Sequence, residues 1–456
     1  MKVVLVTGAA GFIGSHVADA LLTRGDFVVA VDEINDYYNV KLKEANVHHL
    51  LSKHGSKFKF YKGDICDSNF MTSIFESERI THVCHLAARA GVRPSVIDPY
   101  IYLHSNIEGT TRLLDLSHQY SIQNFVFASS SSVYGSSTKE FFSETDSVAR
   151  PLSPYAATKK ACELLAHTWH HLYGLNCTGL RFFTVYGPRG RPDMAPFKFI
   201  DRIFNSLPIQ QYGDGSTSRD YTYIDDIVNG VVRAIDRPLG YEIFNLGNGQ
   251  KTKLKDFISL VETHLGKKAN IEILPKQLGD VEMTCANVSK AKYLLGYIPQ
   301  ISPDIGIRRT VHWYKVAHKE GLFRVENNTK LVTTTTNETS SSFNQIVSVQ
   351  FPISFPSSLK GIFNASSESQ FIDALHLYSS HSPNRAQSVS MSNTKKTSQP
   401  FALSSQILQQ HQLFVIVLLV IISVFAVLLF IVIRRKRSKV LILSSLKDFL
   451  NDNNIA

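Results

Sequence analysis

Cysteine is scarce and scattered. Cys66, Cys84, Cys162, Cys177 and Cys285 lie far apart, are odd in number and form no Cys-x-x-Cys, which excludes a disulfide framework and a structural zinc site. They read as reduced, buried thiols. No leader is expected either, because Met1-Lys2-Val3-Val4-Leu5-Val6-Thr7-Gly8 reads as a strand entering a glycine loop. The catalytic part should therefore begin in the cytosol. Aromatics do not alternate with the basic charges, so the +10 balance of 48 Lys and Arg against 38 Asp and Glu is no nucleic-acid surface. No internal repeat is visible. His167, His170 and His171 have helical spacing but no acidic or cysteine partner at ligand spacing, which predicts a solvated helix face and no metal.

What is present is unevenly distributed. In 456 residues, 44% hydrophobic, there is material for two or three domains and a packed core. Residues 1–325 are well mixed, whereas 326–411 are rich in Ser, Thr, Asn and Gln and predict a disordered linker. Residues 412–433 predict one transmembrane helix: Leu413 to Ile433 is apolar but for Ser423, enough to cross a hydrocarbon core of about 30 Å. A basic tail, 434–456, opens with Arg434, Arg435, Lys436, Arg437 and Lys439. That cluster asks to be cytosolic, which would put the enzyme in an endomembrane lumen. A span so near the C-terminus emerges after synthesis ends, however, and late insertion leaves the enzyme in the cytosol. The expectation is a single-pass membrane protein with a cytosolic catalytic part, the lumen being the alternative; glycan on Asn337 or Asn364 would favour the lumen.

The first part alternates short apolar strands with helical periods. Strands are predicted at Val3–Val6, Val28–Asp32, Phe58–Tyr61, His82–Leu86, Asn124–Ala128 and Cys177–Phe182, with a helix ending near Arg24. This pattern predicts an α/β fold, a doubly wound parallel sheet of Rossmann type over 1–182 to which parts of 183–245 return. The Pro/Gly-rich loops that follow predict a smaller substrate domain over 183–325. Gly8, Gly11 and Gly14, with Phe12 and Ile13, form a turn whose free N–H groups suit a pyrophosphate. Asp32 ends the second strand, where a carboxylate accepts ribose hydroxyls and repels a 2′-phosphate, so NAD is the expected cofactor. The absence of Arg or Lys directly after Asp32 agrees. Asp64-Ile65 and Leu86-Ala87-Ala88 follow the third and fourth strands, where further cofactor contacts fall; Asp64 reads equally as a helix cap.

Tyr155 and Lys159 share one helix face in Tyr-Ala-Ala-Thr-Lys. A phenol with an ordinary pKa of roughly 10 is a poor base near neutrality, and a neighbouring cation favours its phenolate. Together with Thr7-Gly8-Ala9-Ala10-Gly11-Phe12-Ile13-Gly14 and Ser129-Ser130-Ser131-Ser132-Val133-Tyr134-Gly135, this pair makes the chain resemble the extended short-chain dehydrogenase/reductases over residues 1 to about 317. The resemblance implies that Ser130 orients a sugar hydroxyl, Tyr155 removes its proton, Lys159 binds the nicotinamide ribose and Asn106 contacts the cofactor. From the residues alone, Ser130 is a hydroxyl beside the base or a strand-end cap. Another absence narrows the chemistry. Relatives that dehydrate or decarboxylate the sugar carry carboxylates where this chain has Ser131 and Ser132, so what remains is a reversible hydride transfer with one proton transfer, an epimerisation.

Ala90 to Ser95, Asn35 to Tyr38, Arg181 to Pro188 and Gly190 to Ala195 resemble UDP-glucuronate 4-epimerases in particular. Arg89 and Pro94 stand where that resemblance expects Gln and an aromatic, and Pro196 interrupts a Met-Ala-x-Phe stretch. The implied sugar-nucleotide contacts are Arg93, Ser131, Ser132, Thr184 and Arg191, with Arg219 on the diphosphate and Asp280 near the nucleotide. Arg191 suits the C6 carboxylate, and it is expected to keep a 4-keto uronate, a β-keto acid, from losing carbon dioxide. Asp225 and Asp226 are expected to cap the helix that follows them. The resemblance also implies a homodimer built on two helices per subunit. A UDP-glucose 4-epimerase and a non-catalytic NAD-binding membrane scaffold remain as alternatives.

Overall fold

Val-rich runs make the first two strands. β1 (Val3–Thr7) and β2 (Phe27–Asp32) are buried along nearly their whole length, as strands covered on both faces must be. The computed structural model describes residues 1–275 and 282–323. β3 (Phe58–Lys62), β4 (His82–His85), β5 (Asn124–Ser130) and β6 (Cys177–Phe182) complete the first half, and Tyr241–Leu246 joins from the second. The seven strands are all parallel, in the order 241–246, β6, β5, β4, β1, β2, β3. This is the doubly wound α/β sheet that the alternation of strands and helices predicts. The winding reverses between β1 and β4, which opens a crevice beyond their carboxyl ends.

Two helices matter most for that crevice. α1 (Phe12–Thr23) starts inside the glycine loop and buries Val17, Ala18, Leu21 and Leu22 against the sheet. The helix Pro154–Tyr173 is started by Ser153, whose Oγ accepts from Ala156 N at 3.1 Å, and ends at Gly174 in the left-handed region at φ +69°. Its His167 and His171 are exposed, as a solvated face requires. Beyond the sheet, the helices Ala195–Phe204, Leu254–Leu265 and Pro303–Lys319 pack around Phe197, Tyr314 and Phe323, with the last two rings stacked at 4.9 Å. Pro196 does not interrupt the chain there. It lies in the first turn of its helix, where a missing N–H costs nothing.

Several local expectations are corrected. Asp225 and Asp226 do not cap the helix Ile224–Asp236; they lie in its first turn, where Asp226 accepts from Gln300 N and Ile301 N at 2.9 and 3.0 Å and Asp225 pairs with Arg309. Tertiary partners outbid the local cap. Asp64 is not a cap either: Asp67 caps the helix Ser68–Ser77, and Asp64 turns its Oδ1 to Cys66 N. A π-helical turn at Leu103–Glu108 has no counterpart in the predicted pattern. All five thiols are free and buried, and burial pushes Cys177 up to about 12. Among the described residues no helix is long and apolar enough to cross a membrane. The linker 326–411, the apolar segment 412–433 and the basic tail lie outside the described residues.

Candidate active site

The glycine loop is shaped by close approach. Gly8 takes φ +70° and donates to Val31 O at 2.8 Å, and a Cβ on Gly8 would press into the Leu86–Ala87 backbone. A Cβ on Gly14 would overlap the Gly8 carbonyl, so α1 can rest on the loop only without a side chain there. Asp32 closes the opposite side. Its Oδ2 accepts from Ala10 N at 3.0 Å and its Oδ1 from Ile34 N at 2.9 Å, leaving lone pairs on both oxygens. Burial lifts this carboxyl above the usual range, against the opposing pull of the Ile34 N–H, the Lys43 charge and the Ala10 N–H.

A cavity of about 390 Å³ runs from this loop to the end of β5. Gly8, Gly11, Phe12, Ile13, Gly14 and Asp32 line one part, and Asp64, Ile65, Leu86, Ala87 and Ala88 lie along it. Ser130, Ser131, Ser132, Tyr155, Lys159, Thr184 and Arg191 line the remainder. An open glycine cradle, a carboxylate at one end and a phenol–ammonium pair at the other fit a dinucleotide beside a polar substrate.

Each reactive group is held by a named partner. Lys159, 4% exposed, donates from Nζ to Ala128 O at 2.9 Å, which fixes the ammonium under the end of β5. The Tyr155 N–H donates to Ser95 Oγ at 3.1 Å, and the phenol ring stands edge-on to Tyr102 at 6.2 Å. Ser130 Oγ accepts from Ser132 N at 3.2 Å, so the hydroxyl starts a short 3-10 turn and also faces the cavity. Both readings of that residue hold together. Ser129 is withdrawn from the chemistry, because its Oγ donates to the buried Glu163 at 2.7 Å.

Arg191 lines the same cavity as the phenol. Its Nε and Nη2 grip Asp193 at 3.0 and 2.6 Å, its guanidinium lies 5.4 Å from the Tyr37 ring centre, and Nη2 donates to Tyr37 Oη at 3.4 Å. Burial works against the charge, but the Asp193 carboxylate more than offsets it and holds the group above its usual range.

Of the described residues expected at the site, three do not line the cavity. Asn106 is buried behind it: its Oδ1 accepts from Arg89 N at 2.8 Å, and its Nδ2 donates to Arg89 O and to Thr158 Oγ1, both at 3.0 Å. It holds the loop rather than facing the cofactor space. Arg93 stands 5.2 Å from the Tyr212 ring centre, and Arg219 donates to Ser218 O and Glu282 O. Asp280 lies outside the described residues. Conversely, Glu33, Tyr37, Lys43 and Arg89 line the cavity without having been singled out as site residues. Tyr37 carried a signal within the Asn35 to Tyr38 stretch, and Arg89 as a departure from the Gln that the resemblance expects. Lys43 arrives from a helix, donates to Asn35 O and Oδ1 at 2.7 and 2.8 Å and lies over Tyr38, so basic charge absent next to Asp32 in the chain is near it in space.

Asp64, Cys66 and His104 bring ligand-type atoms within 4.8 Å of one another. The Cys66 thiol is pushed up to about 12, by burial and then by Asp64, and spends its hydrogen on His104 O at 3.3 Å. His104 Nε2 also meets Asp64 Oδ2 at 2.9 Å, so the three groups are bonded among themselves.

Comparison with known proteins agrees with this arrangement. The NAD dependent epimerase/dehydratase family is matched over residues 4–247. A UDP-glucuronate 4-epimerase of Thermodesulfobacterium geofontis is 48% identical over 312 residues, 68% of this chain and 95% of that protein. The crystal structure of a Bacillus cereus UDP-glucuronic acid 4-epimerase with UDP-glucuronic acid and NAD is 36% identical, with a TM-score of 0.65 over 69% of this chain and 99% of its own. A Thermotoga maritima UDP-glucose 4-epimerase with UDP-glucose is 33% identical, with a TM-score of 0.64 over 69% and 99%. The sheet, the glycine cradle and the matched length lead to one conclusion: the chain belongs to the NAD dependent epimerase/dehydratase family.

Proposed function

We propose that the protein interconverts UDP-glucuronate and UDP-galacturonate by NAD-dependent epimerisation at C4. The observation that carries the choice of sugar is Arg191, a half-buried, paired guanidinium lining the same cavity as Ser130, Tyr155 and Lys159, with Ser131, Ser132 and Thr184 alongside. A hexose without a carboxylate has no use for that cation.

Tyr155 takes the proton of the C4 hydroxyl and gives it back when the hydride returns, and Ser130 orients that hydroxyl. Lys159, held by Ala128 O in the same cavity, binds the nicotinamide ribose. NAD, when bound, supplies the acceptor and then the donor of the C4 hydride, and the fitting residues are the glycine cradle, Asp32, Asp64, Ile65 and Leu86 to Ala88. With no carboxylate at Ser131 or Ser132, nothing pulls the keto sugar on towards loss of water. Thr184 and Arg191 hold the C6 carboxylate, Arg93 belongs to the substrate contacts, and Arg219 and Asp280 belong to the nucleotide end.

Incubating the protein with UDP-glucuronate and UDP-glucose separately and resolving the product sugars tests the reading. UDP-galacturonate should form from the first, and Tyr155→Phe should slow it by roughly 10²- to 10⁴-fold. Faster formation of UDP-galactose from the second would favour the UDP-glucose 4-epimerase alternative. No turnover of either sugar would leave the scaffold.

The same reading includes a single C-terminal membrane helix at 412–433, supported by the apolar run and its basic flank, with the catalytic part in the cytosol, supported by the late emergence of a span so near the C-terminus. Deleting 413–433 should move the protein from the membrane pellet to the supernatant, and glycan on Asn337 or Asn364 would place the enzyme in a lumen instead. It also includes a homodimer, supported by apolar side chains left at the surface on neighbouring helices, Val96, Ile97 and Tyr100 beside Leu164 and Leu172. A monomer at micromolar concentration in sedimentation would refute that assembly.

A further inference from the structure

Two loops meet over the cofactor crevice. Glu33 directly follows β2 and Arg89 follows β4, while the strand between them, β1, delivers the glycine loop. A link from Glu33 to Arg89 therefore crosses the place where the dinucleotide would lie. That link exists: Arg89 Nη2 reaches Glu33 Oε1 at 3.1 Å, and both residues line the cavity.

The two ends are anchored behind the pair. Asn106 holds the Arg89 backbone through both its N–H and its carbonyl. Tyr37, from the Glu33 side, donates to Ala90 O at 2.6 Å, and Tyr102 donates to the same carbonyl at 3.0 Å. Lys43 ties down Asn35 on the Glu33 loop. The Arg89 side chain is only 13% exposed and faces Glu33 through Nη2.

We propose that Arg89 and Glu33 form a clasp across the mouth of the dinucleotide crevice that retains NAD through the catalytic cycle. Retention has a chemical purpose. The sugar passes through a ketone that only the reduced cofactor still in the same site can restore, so a cofactor lost between the two transfers strands the intermediate. The loops supply shape and the ion pair supplies closure, because opening the crevice requires parting two charges of which one is largely withdrawn from water.

The inference rests on the NAD-dependent reading above, so cofactor loading is measured first and without any sugar. The full chain, loaded with NAD and freed of excess by gel filtration, is sampled over time for bound nucleotide. Arg89→Gln and Glu33→Gln should each speed NAD release by roughly three- to tenfold, the span expected of a half-exposed ion pair. The double variant should be no faster than the singles, because one interaction is being removed. Raising the salt should speed release from the wild type and leave Arg89→Gln unchanged. Unchanged release in both single variants overturns the clasp, as does an effect confined to Arg89→Gln, which would make Arg89 a direct ligand. A wild type that carries and takes up no NAD overturns the cofactor reading, and the clasp with it.

Discussion

Arg191 meets Asp193 before it meets any substrate. The carboxylate of Asp193 takes Nε and Nη2 of the guanidinium, a two-point grip of the kind a uronate would offer. Substrate and Asp193 thus compete for one cation. Asp193→Asn weakens the competitor, and it should lower KM for UDP-glucuronate by roughly threefold while leaving KM for UDP-glucose unchanged. Arg191→Ala should raise KM for the uronate and release UDP-pentose, because the carboxylate is then free to align with the 4-ketone. Resolving nucleotide sugars after partial turnover reads both outcomes, and an Arg191→Ala enzyme with normal KM and no UDP-pentose would remove Arg191 from the reaction.

The catalytic helix Pro154–Tyr173 is pinned to the sheet by an ion pair that the chemistry does not use. Glu163 is fully buried and takes Arg181 of β6 through two bonds, Nε to Oε1 at 2.8 Å and Nη2 to Oε2 at 2.9 Å. Arg181 continues to Tyr134 Oη at 2.9 Å, and Tyr134 to Asn245 on the neighbouring strand at 2.7 Å. The same carboxylate takes Ser129 beside Ser130, so helix, β5 and β6 share one reference point. Burial raises the Glu163 carboxyl, but the bonds and charge of Arg181 outweigh it and hold the group ionised. Glu163→Gln leaves the guanidinium buried without a counter-charge and should cost about 3 kcal/mol in urea unfolding. Pairing it with Arg181→Met should recover most of that loss, since the charge to be compensated is gone too.

At the scale of the molecule, three histidines set the acid limit, His82 and His85 buried and His16 half-buried. Burial, followed by the Lys159 charge, lowers His85 to about 3, while its Nδ1 and Nε2 meet Thr7 and Thr110 at 2.8 and 3.0 Å. Burial with Arg189 lowers His16 to about 3, and burial with Lys2 lowers His82 to about 4. Unfolded histidine titrates near 6.5, so between that value and about 3 the unfolded chain binds protons that the folded chain refuses. Stability is complete above pH 6.5 and falls as pH drops below it, by about 1.4 kcal/mol per pH unit from His85 alone. Asp19 does not share this window: burial would raise it, but Lys53, His54 and Arg189 bring it to about 2, so it stays charged throughout. His104, raised by its bond to Asp64, acts in the opposite sense but is half exposed. Urea midpoints measured from pH 7.5 to 5 should fall, and His85→Gln should flatten that fall; a midpoint independent of pH would contradict the buried neutral rings.

The sheet, the glycine cradle and the helix face shared by Tyr155 and Lys159 were legible in the chain. Continuous Val-rich runs, a glycine spacing and a helical i, i+4 interval are all local, and local periodicity survives without knowledge of distant partners. Ser131, Ser132, Thr184 and Arg191 were legible through a family pattern and do line the same cavity. What lies across a loop or behind a strand emerges from the folded chain alone. Asp226 serves Gln300 and Ile301 instead of its own helix, Asn106 grips Arg89 instead of facing the cavity, and Lys43 and Arg89 gather around the Asp32 end from distant segments. Each is a side chain whose partner is remote in the chain, and a charge finds such a partner only when burial makes leaving it unpaired the costlier choice.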